Sequence, residues 1–187
     1  MNGKTRRGAG KEILVSSAKR LFMKNGTANV GINDVTAEAG LAKMTLYNNF
    51  SSKDALIAEV YKLISEEILE MCFTSISKLD SEQEKIISLF ENVVMQKEYQ
   101  RGCPMNHVIF QSAEPNGEIF YIVQEYKRKL RGIIFDCLSD SRMNRHQLAD
   151  AILITLDGFA LQQYIKAVDS PLETAKFLIK NFLSENE

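Results

Sequence analysis

The stretch Gly31–Phe50, GINDVTAEAGLAKMTLYNNF, decides the fold of the N-terminal part of this 187-residue chain. Its apolar residues recur at the spacing of two short helices whose inner faces meet: Ile32, Val35, Ala39, Leu41, Leu46 and Phe50. Gly40 lies between these helices, where a tight turn needs a residue without Cβ strain. The spacing predicts a helix-turn-helix, a motif whose second helix enters the major groove of DNA.

The outward side chains of the second predicted helix offer groups that DNA can use. They supply a cation, hydroxyls, an amide and an apolar contact, and none is acidic: Lys43, Met44, Thr45, Tyr47 and Asn48. We expect Lys43 and Lys53 to contact phosphates, with Tyr47 and Thr45 donating to phosphate oxygens. Met44 and Asn48 are expected to face base edges, with Lys43 as a further candidate. Thr36, on the first helix, completes the predicted DNA-binding set.

The charge distribution favours DNA binding over the alternative that the motif is only two packed helices. Residues 1 to 50 hold eight Lys or Arg against three Asp or Glu, a net charge of +5. Residues 51 to 187 hold fifteen against twenty-one, a net charge of −6. A polyanion is therefore attracted to the N-terminal part and repelled by the rest. Lys4, Arg6 and Arg7 form either an unpacked end or a basic arm that touches DNA.

From Gly26 to Leu56 the chain resembles TetR-type (tetracycline-repressor-like) transcriptional regulators. The resemblance rests on AGLAKMTLYNNF, residues 39–50, followed by SKDAL, residues 52–56. It implies a dimeric repressor whose C-terminal domain binds a small molecule, and it supports Lys43, Thr45, Tyr47 and Lys53 as DNA contacts. Three residues depart from the commonest pattern: Ala42 replaces a frequent serine, Met44 a frequent glycine and Asn49 a frequent histidine. The first weakens a helix cap, the second alters base readout and the third changes a phosphate contact.

The rest of the chain reads as all-α, with about nine helices in total. We place a three-helix DNA-binding domain at residues 1–50, its first helix beginning near Lys11, and a ligand-binding and dimerisation domain at 51–187. A long apolar stripe from Leu56 to Leu79 predicts one helix that runs from the first domain into the second. Ser51 or Ser52 can cap this helix, and SEQE at residues 81–84 is a capping-box pattern for the next.

The resemblance implies a ligand pocket among the helices of the second domain. The candidate lining residues are Phe73, Phe90, Val94, Met105, His107, Phe110, Tyr121, Phe159, Gln163 and Tyr164. We expect most of them to be plain core and only a minority to line the pocket. Cys103 lies four residues before His107, which leaves open redox sensing or metal binding by this pair. A basic run, KRKLR at residues 127–131, is interpreted as a solvated face, with a second nucleic-acid site as the alternative.

The last two predicted helices indicate association between two copies of the chain. Apolar residues surround the axis in AILITL, residues 151–156, and the helix after Pro171 is also broadly apolar. Because no further chain remains to cover these faces, we predict a four-helix dimer interface. Its candidate residues are Ile152, Leu156, Leu161, Ile165, Leu172, Leu178 and Phe182.

Composition excludes several other classes. The chain has no apolar run long enough to span a membrane and no signal-like segment, so we expect a cytoplasmic protein. Its three cysteines are widely spaced without a CxxC pair, which argues against a structural metal site or a disulfide framework. No phosphate loop, G-x-S-x-G or H-E-x-x-H motif is present, so we predict neither an enzyme nor a cofactor.

The hypothesis is a homodimeric repressor that binds palindromic double-stranded operator DNA and is released by a small-molecule effector. One alternative is a DNA-binding or architectural factor of the same fold without an effector. Another is a dimeric ligand-binding adaptor that does not bind DNA. A cavity in the second domain would favour the effector-controlled repressor over the factor without an effector. A DNA-binding assay distinguishes both from the adaptor.

Overall fold

The computed structural model describes residues 3–95, 102–112 and 114–184, with side chains from Gly8 onward. These ranges contain nine α-helices and no strand, as the sequence predicts. The helices are α1 Gly3–Asn25, α2 Ile32–Ala39, α3 Lys43–Tyr47, α4 Lys53–Ile76, α5 Glu82–Met95, α6 Pro104–Gln111, α7 Glu118–Cys137, α8 Arg145–Ile165 and α9 Pro171–Ser184. The all-α class is confirmed.

The chain divides into two compact units. Unit 1 comprises residues 1–65 and 107–123, and unit 2 comprises residues 66–106 and 124–187. Helices α4, α6 and α7 each contribute residues to both units. The functional boundary after residue 50 stays a prediction.

Unit 1 contains the helix-turn-helix. Helix α1 packs against α2 and α3, which also pack against each other. Apolar side chains of these helices, and Phe50 just after α3, are buried: Leu14, Ala18, Phe22, Val35, Leu46 and Phe50. Helix α1 ends at Asn25, and Gly26 follows with a φ of 82°, the left-handed conformation expected for a glycine at a helix end.

Helix α1 begins at Gly3, which corrects the predicted start at Lys11. The backbone around Lys4, Arg6 and Arg7 is therefore helical and not extended. The sequence pattern missed this turn because Gly3–Gly10 has no apolar periodicity. A helix that is already nucleated can add such residues, since each addition forms a further backbone hydrogen bond.

Side-chain caps define the starts of α4 and α5. The Ser52 hydroxyl oxygen accepts a hydrogen bond from the Ala55 backbone N–H at 3.1 Å, which identifies Ser52 as the cap of α4. The Ser81 hydroxyl oxygen accepts from the Glu84 N–H at 3.2 Å and donates to the Glu84 carboxylate at 2.7 Å. The predicted Ser81–Glu84 pairing is therefore present, although its second bond joins the two side chains.

Unit 2 is built around α5, α8 and α9, which pack against one another. Phe90 of α5 and Phe159 of α8 meet edge to face with ring centroids 5.3 Å apart. An ion pair also joins distant parts of this unit, because Arg142 donates to both carboxylate oxygens of Glu82 and to the Leu183 carbonyl. The Arg142 side chain is 7% exposed. Its hydrogen bonds hold the pKa of Glu82 below its usual value.

Candidate DNA-binding surface and ligand cavity

Helix α3 presents an exposed surface of mixed chemistry. Met44 is 70% and Tyr47 is 51% exposed, and Lys43 and Asn48 are also exposed. Thr45 and Lys53 are half-buried. On the opposite face, Leu46 is fully buried and anchors the helix in unit 1. The structure therefore brings six of the seven predicted DNA-binding side chains to positions where they are at least partly accessible.

Thr36 is the exception among the predicted DNA contacts. It is buried, and its hydroxyl donates to the Asn33 carbonyl of its own helix at 3.1 Å. A threonine hydroxyl that is satisfied within its helix has its donor already engaged. Thr36 therefore has the least structural support among the seven predicted contacts.

The turn between α2 and α3 has the geometry that the glycine predicted. Gly40 has φ 63° and ψ 29°, and the Leu41 N–H donates to the Thr36 carbonyl at 3.0 Å. This left-handed residue ends α2 and satisfies carbonyls that the helix leaves free. At the other side of the turn, Ala42 precedes α3 without a side-chain cap, as the departure from the usual serine predicted.

Asn49 closes the C-terminal end of α3. Its side-chain amide donates to the Thr45 carbonyl at 2.7 Å. This hydrogen bond satisfies one of the last carbonyls of a five-residue helix that has few internal bonds of its own. Asn49 thus has a structural partner in the recognition helix, which the sequence comparison with a frequent histidine did not predict.

A buried polar cluster ties the α1–α2 connection to the C-terminal end of α6 within unit 1. Both the backbone N–H and the hydroxyl of Thr27 lie 3.0 Å from the Gln111 side-chain oxygen and donate to it. The Thr27 and Ser112 hydroxyls are 2.6 Å apart. Thr27 is fully buried, so its N–H depends on Gln111 for a partner. We call Thr27, Gln111 and Ser112 the head clamp.

The cations of the basic run on α7 form ion pairs with three acidic side chains. Lys127 pairs with Asp157, and Arg131 pairs with Asp150 at 2.5 Å. Arg128 and Lys129 lie 3.7 and 3.8 Å from Glu125. Because each of these cations has an acidic neighbour, the run favours the predicted solvated face over a second nucleic-acid site.

Unit 2 contains a cavity of about 50 Å³. Its wall is mostly apolar, with contributions from α4, α5, α7 and α8 and from the start of α6. The lining residues are Ile68, Met71, Cys72, Leu89, Asn92, Val93, Gly102, Cys103, Pro104, Tyr126, Leu130 and Leu156. An apolar hollow with a few polar groups is typical of a small-molecule site.

None of the ten residues predicted to line a pocket lines this cavity. Phe90, Met105 and Phe159 are core, whereas Phe73, Val94, Phe110, Tyr121 and Tyr164 are exposed, and His107 and Gln163 are half-buried. Sequence reasoning missed the actual lining because Cys72 and Tyr126 lie in apolar helical stripes that look like ordinary core. No sequence signal separates a side chain that lines a hollow from one that fills it.

The residues predicted for the dimer interface fall into two groups. Leu161 and Ile165 are exposed, while Leu172, Leu178 and Phe182 are half-buried. Exposed Ile154 and Phe177 extend the apolar surface of α8 and α9. Ile152 and Leu156 instead lie inside the chain, which corrects their predicted exposure to a partner. The sequence argument failed for these two because α5 and α9 pack on α8 and provide the cover that was assigned to a second copy.

The fold and the α3 surface define a helix-turn-helix protein, and comparisons with known proteins agree. Residues 14–60 match the family described as bacterial regulatory proteins, tetR family. The chain is 20% identical over 180 residues to the transcriptional regulator BetI of Agrobacterium fabrum, covering 92% of this chain and 85% of that relative.

Solved structures share the whole fold. The TetR-family regulator SCO4454 of Streptomyces coelicolor matches with a TM-score of 0.84 and 19% identity, covering 95% of both chains. FadR of Bacillus subtilis, solved in complex with stearoyl-CoA, matches with a TM-score of 0.66 and 16% identity, covering 94% of this chain and 99% of that one. Residues 14–60 therefore match the helix-turn-helix region of the tetR family, the whole chain shares the fold of TetR-family regulators, and the resemblance noted in the sequence is confirmed.

No helix in the described ranges has the length and apolar character needed to cross a bilayer. Within the same ranges, no three His, Cys, Asp or Glu side chains are grouped as a metal ion would require.

Proposed function

We propose that the chain is a homodimeric repressor that binds a palindromic operator and releases it when a small molecule binds in unit 2. The observation that carries the DNA-binding part is the exposed α3 surface on a basic N-terminal region. Met44, Tyr47 and Asn48 are held outward by a helix whose inner residue, Leu46, is buried. This is the arrangement in which a recognition helix reads base edges while neighbouring cations hold the phosphates.

The dimer is supported by the uncovered apolar surface of α8 and α9. Leu161 and Phe177 are 51% and 65% exposed, and the neighbouring apolar side chains are exposed or half-buried. A second copy of the two helices buries this surface and places two DNA-binding regions in one molecule. A two-fold pair reads two half-sites, which is why the operator is expected to be palindromic.

The effector is supported by the cavity in unit 2. A solid core would favour a DNA-binding factor that needs no ligand, and the cavity favours a ligand-controlled regulator instead. FadR of Bacillus subtilis, of the same fold, was solved with stearoyl-CoA. The ligand acts through its preference for the conformation that does not bind DNA. A cytoplasmic location is part of this proposal.

The proposal is tested by fluorescence anisotropy of a labelled duplex taken from the DNA upstream of the chain's own gene. We expect salt-dependent binding by the wild type and a loss of roughly tenfold or more in affinity for Tyr47→Ala. Tyr121→Ala is the matched control, because Tyr121 is 53% exposed against 51% for Tyr47 but lies on α7. Equal losses in both variants, or no binding by the wild type to any upstream fragment, would overturn the DNA-binding proposal.

A further inference from the structure

Two of the three cysteines line the same cavity. Cys72 comes from α4, and Cys103 lies directly before Pro104, the first residue of α6. Cys137, the third, does not line it. The remaining wall is mainly aliphatic, with Ile68, Leu89 and Leu130 among its residues. A small apolar molecule that enters this cavity therefore meets two sulfur atoms.

Each sulfur has a polar partner that also lines the cavity. The Asn92 side chain is hydrogen-bonded to Cys72, and the Tyr126 hydroxyl is hydrogen-bonded to Cys103. Burial raises the pKa of Tyr126 well above its usual value, so the phenol keeps its proton and remains a donor at neutral pH. The phenol donor therefore faces the Cys103 sulfur at the cavity wall.

The two cysteines differ in accessibility. Cys72 is 4% exposed, and its burial raises the pKa of its thiol to about 11, so it stays protonated near neutral pH. Cys103 is half-buried, at the cavity wall beside the start of α6. Cys103 is therefore the cysteine of the pair that combines access to the cavity with access to solvent.

We infer that Cys103 is the attachment site of a small α,β-unsaturated carbonyl compound, which enters the cavity and acts as the effector. This inference rests on the proposed function and gives the effector a chemical class. The aliphatic wall favours an apolar carbon electrophile over a hydrophilic oxidant such as peroxide. A water molecule needs about 10–15 Å³ of such space, so the cavity of about 50 Å³ suits a molecule of only a few heavy atoms.

The reaction is an addition that consumes no oxidant or reductant. The Cys103 thiol loses its proton to water, and the thiolate sulfur forms a bond to the β-carbon of the unsaturated carbonyl. The carbon–carbon π bond breaks, and its electron pair moves to the α-carbon and carbonyl oxygen as an enolate. The enolate takes a proton from water, so that S–H has been added across the double bond. Tyr126 positions the sulfur through its hydrogen bond.

The first experiment treats the full-length protein with methyl vinyl ketone and locates the adducts by peptide mass spectrometry over time. We expect Cys103 to react at least about tenfold faster than Cys72 and Cys137, since burial raises the pKa of each of the latter two to about 11. The Cys103 rate should saturate with reagent concentration, because binding in the cavity precedes addition, and Tyr126→Phe should slow it. Equal reaction at all three cysteines, or a Cys103 rate unaffected by Tyr126→Phe, would overturn the inference.

The second experiment measures operator affinity before and after treatment. We expect the treated wild type and treated Cys137→Ser to lose roughly tenfold or more in affinity, and Cys103→Ser to be insensitive. Release of Cys103→Ser to the same extent, or a fully labelled wild type with unchanged affinity, would overturn Cys103 as the effector site. Loss of operator affinity on treatment with peroxide but not with methyl vinyl ketone would identify an oxidant sensor and contradict the inference. Absence of DNA binding before treatment is a failure of the proposed function, which the untreated sample detects separately.

Discussion

Among the described residues, Arg142 and Glu82 form the ion pair with the least exposed side chains. Arg142 is 7% exposed and also donates to the Leu183 carbonyl at 2.8 Å. Its guanidinium therefore connects the start of α5 with the end of α9. Replacement of Glu82 by Gln leaves this buried cation without its counter-charge. We expect Glu82→Gln to lower the free energy of unfolding by roughly 3 kcal/mol.

Urea denaturation at equal protein concentration measures this change. Asp150→Asn, which disrupts the exposed Arg131 pair, is the control and should lower the free energy of unfolding far less, because solvent screens exposed ion pairs. The effect also depends on pH. Because the pKa of Glu82 is lowered in the folded state, its stabilisation is complete above the unfolded pKa of about 4.3 and is lost as pH falls through the folded value. A wild-type-to-variant difference that grows on acidification would contradict the pairing.

Lys53 is the residue whose DNA role has the clearest signature. It is half-buried at the first position of α4, next to the recognition helix in sequence. As a phosphate contact it should contribute to all DNA sequences alike, so Lys53→Ala should flatten the logarithmic salt dependence of binding by about one unit. Lys129→Ala, on α7, is the control and should leave the slope unchanged. An unchanged slope for Lys53→Ala would remove this residue from the DNA contacts.

At the scale of helices, the head clamp connects α6 with the segment between α1 and α2. Gln111, the last residue of α6, accepts two hydrogen bonds from Thr27, which lies between α1 and α2. Gln111→Ala leaves the buried Thr27 N–H unpaired, at a cost of about 1–3 kcal/mol. We expect faster hydrogen exchange at the start of α2 and weaker operator binding. Gln111→Glu keeps an acceptor oxygen and should preserve most of the protection; equal exchange in the wild type and Gln111→Ala would contradict the clamp.

Sequence periodicity predicted the helices better than it predicted their partners. Gly26, Gly40 and Ser52 end or start helices where their local chemistry predicts, because these signals act over a few residues. The buried positions of Ile152 and Leu156 depend on α5 and α9, which are distant in sequence. An apolar stripe indicates that a face is covered without indicating what covers it. The cavity wall and the Thr27–Gln111 bonds were missed for the same reason.

At the scale of the whole molecule, we expect two copies of the chain to form a dimer through α8 and α9. Leu161→Glu places a charge on the exposed apolar surface of α8, where a dimer interface would have to desolvate it. We expect this variant to sediment as a monomer at micromolar concentration while the wild type sediments as a dimer. Met143→Glu is the control, since Met143 is fully exposed in the connection between α7 and α8. A dimeric Leu161→Glu variant would place the interface elsewhere.

The most direct test of paired recognition helices is a DNase footprint of the wild-type protein on its own upstream DNA, compared with Tyr47→Ala. We expect protection of two inverted half-sites whose centres are one or more helical turns apart, about 34 Å or a multiple of it. We also expect this protection to disappear in Tyr47→Ala at the same protein concentration. A single unpaired protected segment, or a footprint that Tyr47→Ala leaves unchanged, would contradict paired recognition helices.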